Sequence, residues 1–518
     1  MATAFEQTIP SQIELDIEQI TRGGLRVFIR KAWHVIEPRP LVTGWAFDAV
    51  CDHTEAFFDG RIKRLLITIP PRMTKTLTTA VFAPAHKWTK DPTFQIVYAS
   101  YSHDLSLKAS AKCRNLIESE WYKNRFADKV ALSKTQNTKE KFETTLYGFR
   151  LATSVDGTVT GEGGDVFLYD DLINVKEASS EAAIRNASEF YWEVSSTRLN
   201  QLKTGGRLVI AQRVNSKDVP GEILEREGKD WVHLNLPMEF EEKTILDMKI
   251  ETAPSPLGFV DPRTEDGEIL DPERFPREEL DKLKISLGSY ATAAQLQQRP
   301  VPREGGIIKD GWIRRFECPP NPDLDFLMAR RPRFTFLSAD CASKPKKHND
   351  PTALGLFAAF PGRIELWKVW LERLGFPEAQ RLFKDKYAIW KPKFILIEDK
   401  DSGQSHIQEL RKTPDDGSPK WKGTVLAYNP GKLDKFTRMD QHTAFIEAGG
   451  LWIPKEDTWC ATYITTMTSY SSSTVSGDDQ VDMTSQALDR YRAGIVIGAM
   501  DINAMDFSGI SAHDLGDY

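Results

Sequence analysis

From Arg64 onward, short apolar runs alternate with helical patterns: RLLITI, a helix over Lys75 to Trp88, FQIVYAS, and a helix reaching Leu116. That alternation implies a parallel sheet with crossover helices. DVFLY (Asp165 to Tyr169), RLVIA (Arg207 to Ala211) and WVHLNL (Trp231 to Leu236) extend the series. Between about 240 and 330 the pattern breaks into sequence rich in Pro, Glu and Asp, the composition of loops and a linker. A second series begins with RFTFLSA (Arg333 to Ala339) and continues through TALGLFAAF and RIELWKVWL, which Pro361 and Gly362 join as a hairpin. A helix from Pro377 to Trp390, the strand FILI (Phe394 to Ile397) and helices near Asp434 to Ala448 and Val481 to Ala493 complete it. The expected organisation is two α/β domains, 1–300 with a helical lead-in and 331–500, with a linker at 301–330 and a mobile acidic tail at 501–518.

Composition narrows the setting. No apolar run approaches the ~20 residues of a membrane helix, and MATAFEQTIP lacks the pattern of a signal peptide, so a soluble intracellular protein is expected. Five scattered cysteines form no CxxC pair, which suggests neither a disulfide framework nor a zinc site. A net charge of −6 argues against constitutive tight binding to nucleic acid, where phosphate neutralisation dominates affinity. Local basic runs remain at Lys309, Arg314 and Arg315, at Arg330, Arg331 and Arg333, and at Lys344, Lys346 and Lys347.

A phosphate-binding loop needs a strand, a tight turn of backbone N–H groups, a lysine for the β- and γ-phosphates, and a hydroxyl for magnesium at the start of the next helix. LLITIPPRMTKTLTTAV has that order, with Arg72, Met73, Thr74, Lys75 and Thr76 as candidate nucleotide-binding residues. It departs from the usual glycine pattern at Ile69 and Thr74. VFLYDD ends a hydrophobic strand in two acids, placing Asp170 where a carboxylate would organise magnesium and leaving Asp171 as candidate base for the attacking water. Gln212, at the end of the later strand, could sense the γ-phosphate.

The second series ends its strands in acids too: Asp340 after the first, Glu398 in LIEDKDSG, and Asp479 and Asp482 at the start of the last helix. Carboxylates that converge repel one another, so such clusters usually hold divalent metals. The order of strands, helix, strand and helix resembles the ribonuclease H-like fold, whose chemistry uses two magnesium or manganese ions to activate water and stabilise the leaving oxygen. Asp350 is a possible accessory ligand.

The chain thus resembles the large terminase subunits of tailed bacteriophages, motors that package DNA into a procapsid and cut concatemers. The likeness runs through EAFFDGRIKRLLITIPPRMTKTLTTAVFAPAHKW, DGTVTGEGGDVFLYDDLI, STRLNQLKTGGRLVIAQR, QLQQRPVPREGG, SADCASKPKKHNDPTALGLF, ILIEDKDSG, NPGKLDKFTRMDQHTAFIEAGGLWIP and GDDQVDMTSQALDRY. It implies a P-loop ATPase domain followed by a ribonuclease H-like nuclease domain. ATP phosphates fall to Arg72, Lys75 and Thr76, magnesium to Thr76 and Asp170, and hydrolysis to Asp171. Nuclease metal falls to Asp340, Glu398 and either Asp479 or Asp482, and adenine contacts lie upstream near Trp45. The implied partners are double-stranded DNA, a small terminase subunit and the portal, on which about five copies form a ring in the host cytoplasm, absent from the mature virion. A repair or recombination helicase-nuclease is the alternative; helicases usually carry a second nucleotide-binding sheet, and no second phosphate loop is seen.

Overall fold

The computed structural model describes residues 11–497, apart from 158–160, 195–196, 243–250, 301–305, 320, 342–350, 413–420, 432 and 472–477. The acidic tail, Asp350, Lys344, Lys346 and Lys347 therefore lie outside the described residues. The chain divides into two compact units, Met1–Pro302 and Arg303–Tyr518. Among the described residues no helix is long and apolar enough to cross a membrane.

In the first unit β1 (Arg64–Thr68), β2 (Gln95–Ser100), β3 (Leu132–Asn137), β4 (Lys141–Thr144), β5 (Phe149–Ser154), β6 (Val166–Asp170), β7 (Gly206–Ala211) and β8 (Val232–Asn235) form one sheet. Its order is β3-β4-β5-β2-β6-β7-β1-β8, and from β5 to β8 all neighbours are parallel. Side chains alternate across it as strand geometry requires. Leu65, Ile67, Tyr98, Leu168 and Ile210 pack with the helices Gln12–Ile36 and Trp45–Phe58. Leu66, Val97, Phe167 and Val209 face the opposite layer with Tyr191, Ile223 and Trp231. The register pairs Thr68 with Ala211, Ile210 with Asp170 and Asp170 with Ser100, so the C-terminal ends of β1, β7, β6 and β2 finish side by side. Open parallel sheets bind ligands at such an edge.

The stretch expected to be loops and linker after residue 240 is more structured than its composition suggests. It contains the helix Arg277–Ala291, and it is tied to the first unit by polar groups. Buried Arg263 pairs with Asp261 and donates to the carbonyls of Pro237, Met238 and Glu268 at 3.0–3.3 Å. Gln298 is buried with φ 54°, and its Oε1 accepts the Arg213 N–H at 3.0 Å. Such anchors leave no apolar periodicity to read.

The second sheet runs β14 (Val425–Tyr428), β13 (Ile395–Glu398), β10 (Phe334–Asp340), β11 (Thr352–Phe360), β12 (Arg363–Glu372), β15 (Leu451–Pro454), β9 (Arg314–Phe316). β11 is antiparallel to β10 and β12, with Gly362 at φ 75° in the turn between β11 and β12, and the remaining pairs are parallel. The expected linker at 301–330 is corrected here. Ile307, Ile308 and Ile313 are buried in the second unit's core and β9 extends its sheet. Likewise the helix expected over Asp434 to Ala448 is two helices, Lys435–Asp440 and Thr443–Glu447. The helix Asp479–Ile497 lies against β10 and β11. Ser338 Oγ donates to the Met483 carbonyl at 2.8 Å, Gln486 Nε2 to the Ala339 carbonyl at 2.8 Å, and Tyr491 Oη to the Phe360 carbonyl at 2.7 Å.

Candidate active sites

β1 leads into the loop Pro70–Thr76, where Arg72 and Thr74 hold φ of 63° and 57°. Thr74 thus adopts at a threonine the left-handed backbone that explains the usual glycine there, at a cost of roughly 1–2 kcal/mol. A helix follows at once, with its first turn wound as a π-helix over Leu77–Phe82. Lys75 is buried, and its Nζ reaches Asp171 Oδ1 at 2.7 Å and Oδ2 at 2.6 Å. Asp171 itself has φ 42°, and its Oδ1 also accepts the Gln212 N–H at 3.0 Å. Loop, acids and Gln212 therefore come together from the ends of three neighbouring strands, although the residues span much of the first unit's sequence.

Asp170 ends β6 and is buried. Burial first, and then repulsion from Asp171, push its carboxyl up to about 6, against the opposing influence of Lys75, Thr76 and Tyr98. Tyr98 Oη donates to its Oδ2 at 3.0 Å, while its buried Oδ1 has no hydrogen-bond partner among the described residues. A buried carboxylate oxygen left unpaired is costly, and a hard cation is the partner its chemistry suits. The residues therefore fit magnesium.

Beside the loop lies a cavity of about 570 Å³, lined by Trp45, Met73, Thr74, Arg263, Leu270 and Arg274 among others. Arg274 bridges it, donating to the carbonyl of Arg72 and, at 3.4 Å, to that of Val42. Trp45 stacks with Phe259, 6.3 Å away, and the Arg263 guanidinium lies 5.3 Å from the Trp45 ring. Arg72 itself is exposed.

In the second unit Asp340 and Glu398 end the parallel neighbours β10 and β13, where Ala339 pairs with Ile397. The bonds from Ser338 and Gln486 fix the last helix so that Asp482 approaches Asp340. Burial, and then repulsion from Asp482 ahead of Asp479 and Glu398, holds the Asp340 carboxyl well above the usual carboxylate range. Two cations that the sequence reading left unassigned, Lys435 and Arg438, complete the cluster. Lys435 pairs with Asp482 and, at 3.1 Å, with Asp478. Arg438 lies 3.1 Å from Asp482 and 3.8 Å from Glu398. Their spacing by three residues on one helix, which puts both on the same face, was the available signal.

Among the described residues no three acids close into a ready-made cation shell. The donor set nonetheless suits hard divalent metal, since it is all carboxylate oxygen and Asp340 is raised by its acidic neighbours. In this structure Arg438 supplies positive charge between Asp482 and Glu398, and Lys435 supplies it between Asp482 and Asp478. Asp482 is held by both of them and is the strongest acidic influence on Asp340.

Residues 337–490 match the family model of the terminase RNaseH-like domain. Among solved structures, the chain is similar to the large terminase of the thermophilic bacteriophage D6E, with TM-score 0.50 and 12% identity over 88% of this chain and 100% of that one. A further match is the HK97 bacteriophage large terminase, with TM-score 0.34 and 11% identity over 86% of this chain and 91% of that one. No curated protein matches by sequence. The resemblance read in the sequence is thus met both by a domain family in the second unit and by the fold.

Proposed function

We propose that this chain, which carries a terminase RNaseH-like domain within the fold of a large terminase, is an ATP-driven DNA-packaging motor with its own metal-dependent nuclease. The observation that carries the motor half is the convergence of Lys75, Asp170, Asp171 and Gln212 at one sheet edge. ATP phosphates lie along Arg72 to Thr76, with the base and ribose in the cavity between Trp45 and Arg274. Thr76 and Asp170 hold magnesium, which supplies charge neutralisation on the phosphates. Lys75 moves from Asp171 to the phosphates, and Asp171 then takes the proton of the attacking water. Gln212, placed beside Asp171, reads the γ-phosphate by donating from its side-chain amide N–H.

In the second unit Asp340, Glu398 and Asp482 hold magnesium or manganese, with Asp479 as a flanking acid. Two ions there would activate water and stabilise the leaving oxygen of a DNA strand. Lys435 and Arg438 offset part of the acids' negative charge.

The partners of this reading are double-stranded DNA, a small terminase subunit and a procapsid portal carrying a ring of about five copies. The work is done in the host cytoplasm, transiently at the portal, on concatemeric DNA. ATPase and plasmid-cleavage assays on the purified chain, with and without magnesium, manganese and a cognate small subunit, test it. Absence of both activities under all these conditions would sink it.

A further inference from the structure

Arg150 is fully buried in β5, yet no ion pair holds it among the described residues. Its Nη2 donates to the Ala80 carbonyl at 3.3 Å, and its Nε and Nη1 have no hydrogen-bond partner there. A buried guanidinium without a carboxylate is expensive, and an apolar side chain would fill the same space without that cost. Its guanidinium carbon stands 4.6 Å from the centre of the Tyr98 ring. Tyr98 is buried in β2, and its hydroxyl donates to Asp170 Oδ2 at 3.0 Å.

The sheet explains how the three groups meet. Ile96 pairs with Arg150 and Tyr98 pairs with Leu168, so Arg150, Tyr98 and Asp170 sit on the same face, each two residues diagonally from the next. Ala80 belongs to the π-helical turn that follows the phosphate loop. One buried cation therefore touches the helix behind Lys75 and Thr76 at one end and the ring that supports Asp170 at the other.

We propose that Tyr98 and Arg150 are positioning residues for the nucleotide's metal. Tyr98 fixes one oxygen of Asp170 and so aims the other at the ion, while the Arg150 cation polarises the ring and strengthens the hydroxyl as a donor. This rests on the ATP reading of the first unit.

The test is binding of a fluorescent ADP analogue to the full chain in EDTA and in magnesium, for the wild type, Tyr98→Phe, Arg150→Met and Arg150→Lys. Affinity in EDTA should be unchanged, because neither residue touches the nucleotide. The tightening that magnesium brings should fall about tenfold in Tyr98→Phe and in Arg150→Met, within the range for groups that orient metal ligands. Arg150→Lys, which keeps the cation, should restore part of it. Tyr98→Phe removes one oxygen and keeps the packed ring, so it stays informative if Arg150→Met does not fold. Undiminished tightening in Tyr98→Phe overturns the proposal. Loss in Tyr98→Phe with full tightening in Arg150→Met overturns the part given to Arg150. A wild type that binds the analogue without any effect of magnesium overturns the ATP reading itself, and this proposal with it.

Discussion

Lys75 and Asp171 are joined by a two-pronged ion pair, with Nζ at 2.7 Å from one carboxylate oxygen and 2.6 Å from the other. The lysine thus occupies the acid proposed to serve as base, and only a competing anion such as a phosphate would free it.

Two substitutions separate the roles in this pair. Lys75→Ala should abolish ATP turnover and leave metal-dependent plasmid cleavage intact. Asp171→Asn should still bind ATP and hydrolyse it roughly 10²–10⁴-fold more slowly, since only the base is lost. Equal loss of cleavage in a folded Lys75→Ala protein would count against independent sites.

The raised carboxyl of Asp170 makes stability depend on pH. Held at about 6 in the folded chain against an ordinary value of 3.8, it binds its proton more tightly when folded. Its contribution is therefore favourable at low pH and is lost as pH rises from about 4 to about 6, leaving the full penalty above that. Asp170→Asn, which removes the charge at similar size, should raise stability by about 1–3 kcal/mol near pH 8 and by little near pH 4. Thermal melts of both proteins at the two pH values decide it; an equal gain at both would refute the assignment.

How much of this could be read beforehand follows from the kind of signal each element carries. The strands ending in Thr68, Asp170, Asp340 and Glu398 are nearly all buried, so their apolar runs announced them. β3 and β4, with LSKTQN and KFET, carry mixed polar sequence and gave no such run. Arg263 and Gln298 anchor the chain by hydrogen bonds, which have no period in sequence. Asp170, Asp340 and Glu398 were legible as strand ends, whereas Lys435 and Arg438 offered only a helical spacing of three, and their role depends on a helix packed beside Asp482.

The second unit's boundary gives a fragment experiment. A fragment starting at residue 303 should fold and cut DNA without ATP. One starting at residue 325 lacks β9 and the buried Ile307, Ile308 and Ile313, each worth about 1.5–3 kcal/mol in burial, and should be far less stable. Denaturant titration of the two fragments checks this, and equal midpoints would place the boundary elsewhere.

The acids of the second unit can be ranked by substitution. Asp340→Asn and Asp482→Asn should each remove cleavage by on the order of hundredfold or more while sparing ATP hydrolysis, because each takes a charge from the metal site. Asp479→Asn should be milder. Calorimetric titration with manganese supplies the direct measure; unchanged binding in all three would eliminate the proposed metal site.

The hydrogen bond from Ser338 to Met483 joins residues 145 apart in the chain, and Gln486 reaches back to Ala339 over 147. Contacts that distant form only after the loop between them has closed. On a ribosome, Asp340 and Glu398 emerge long before the helix that brings Asp482, so a nascent chain carries two of the cluster's acids with nothing to assemble them. The proposed cutting activity is thereby withheld throughout most of synthesis, and a prematurely ended chain is born harmless to the DNA around it.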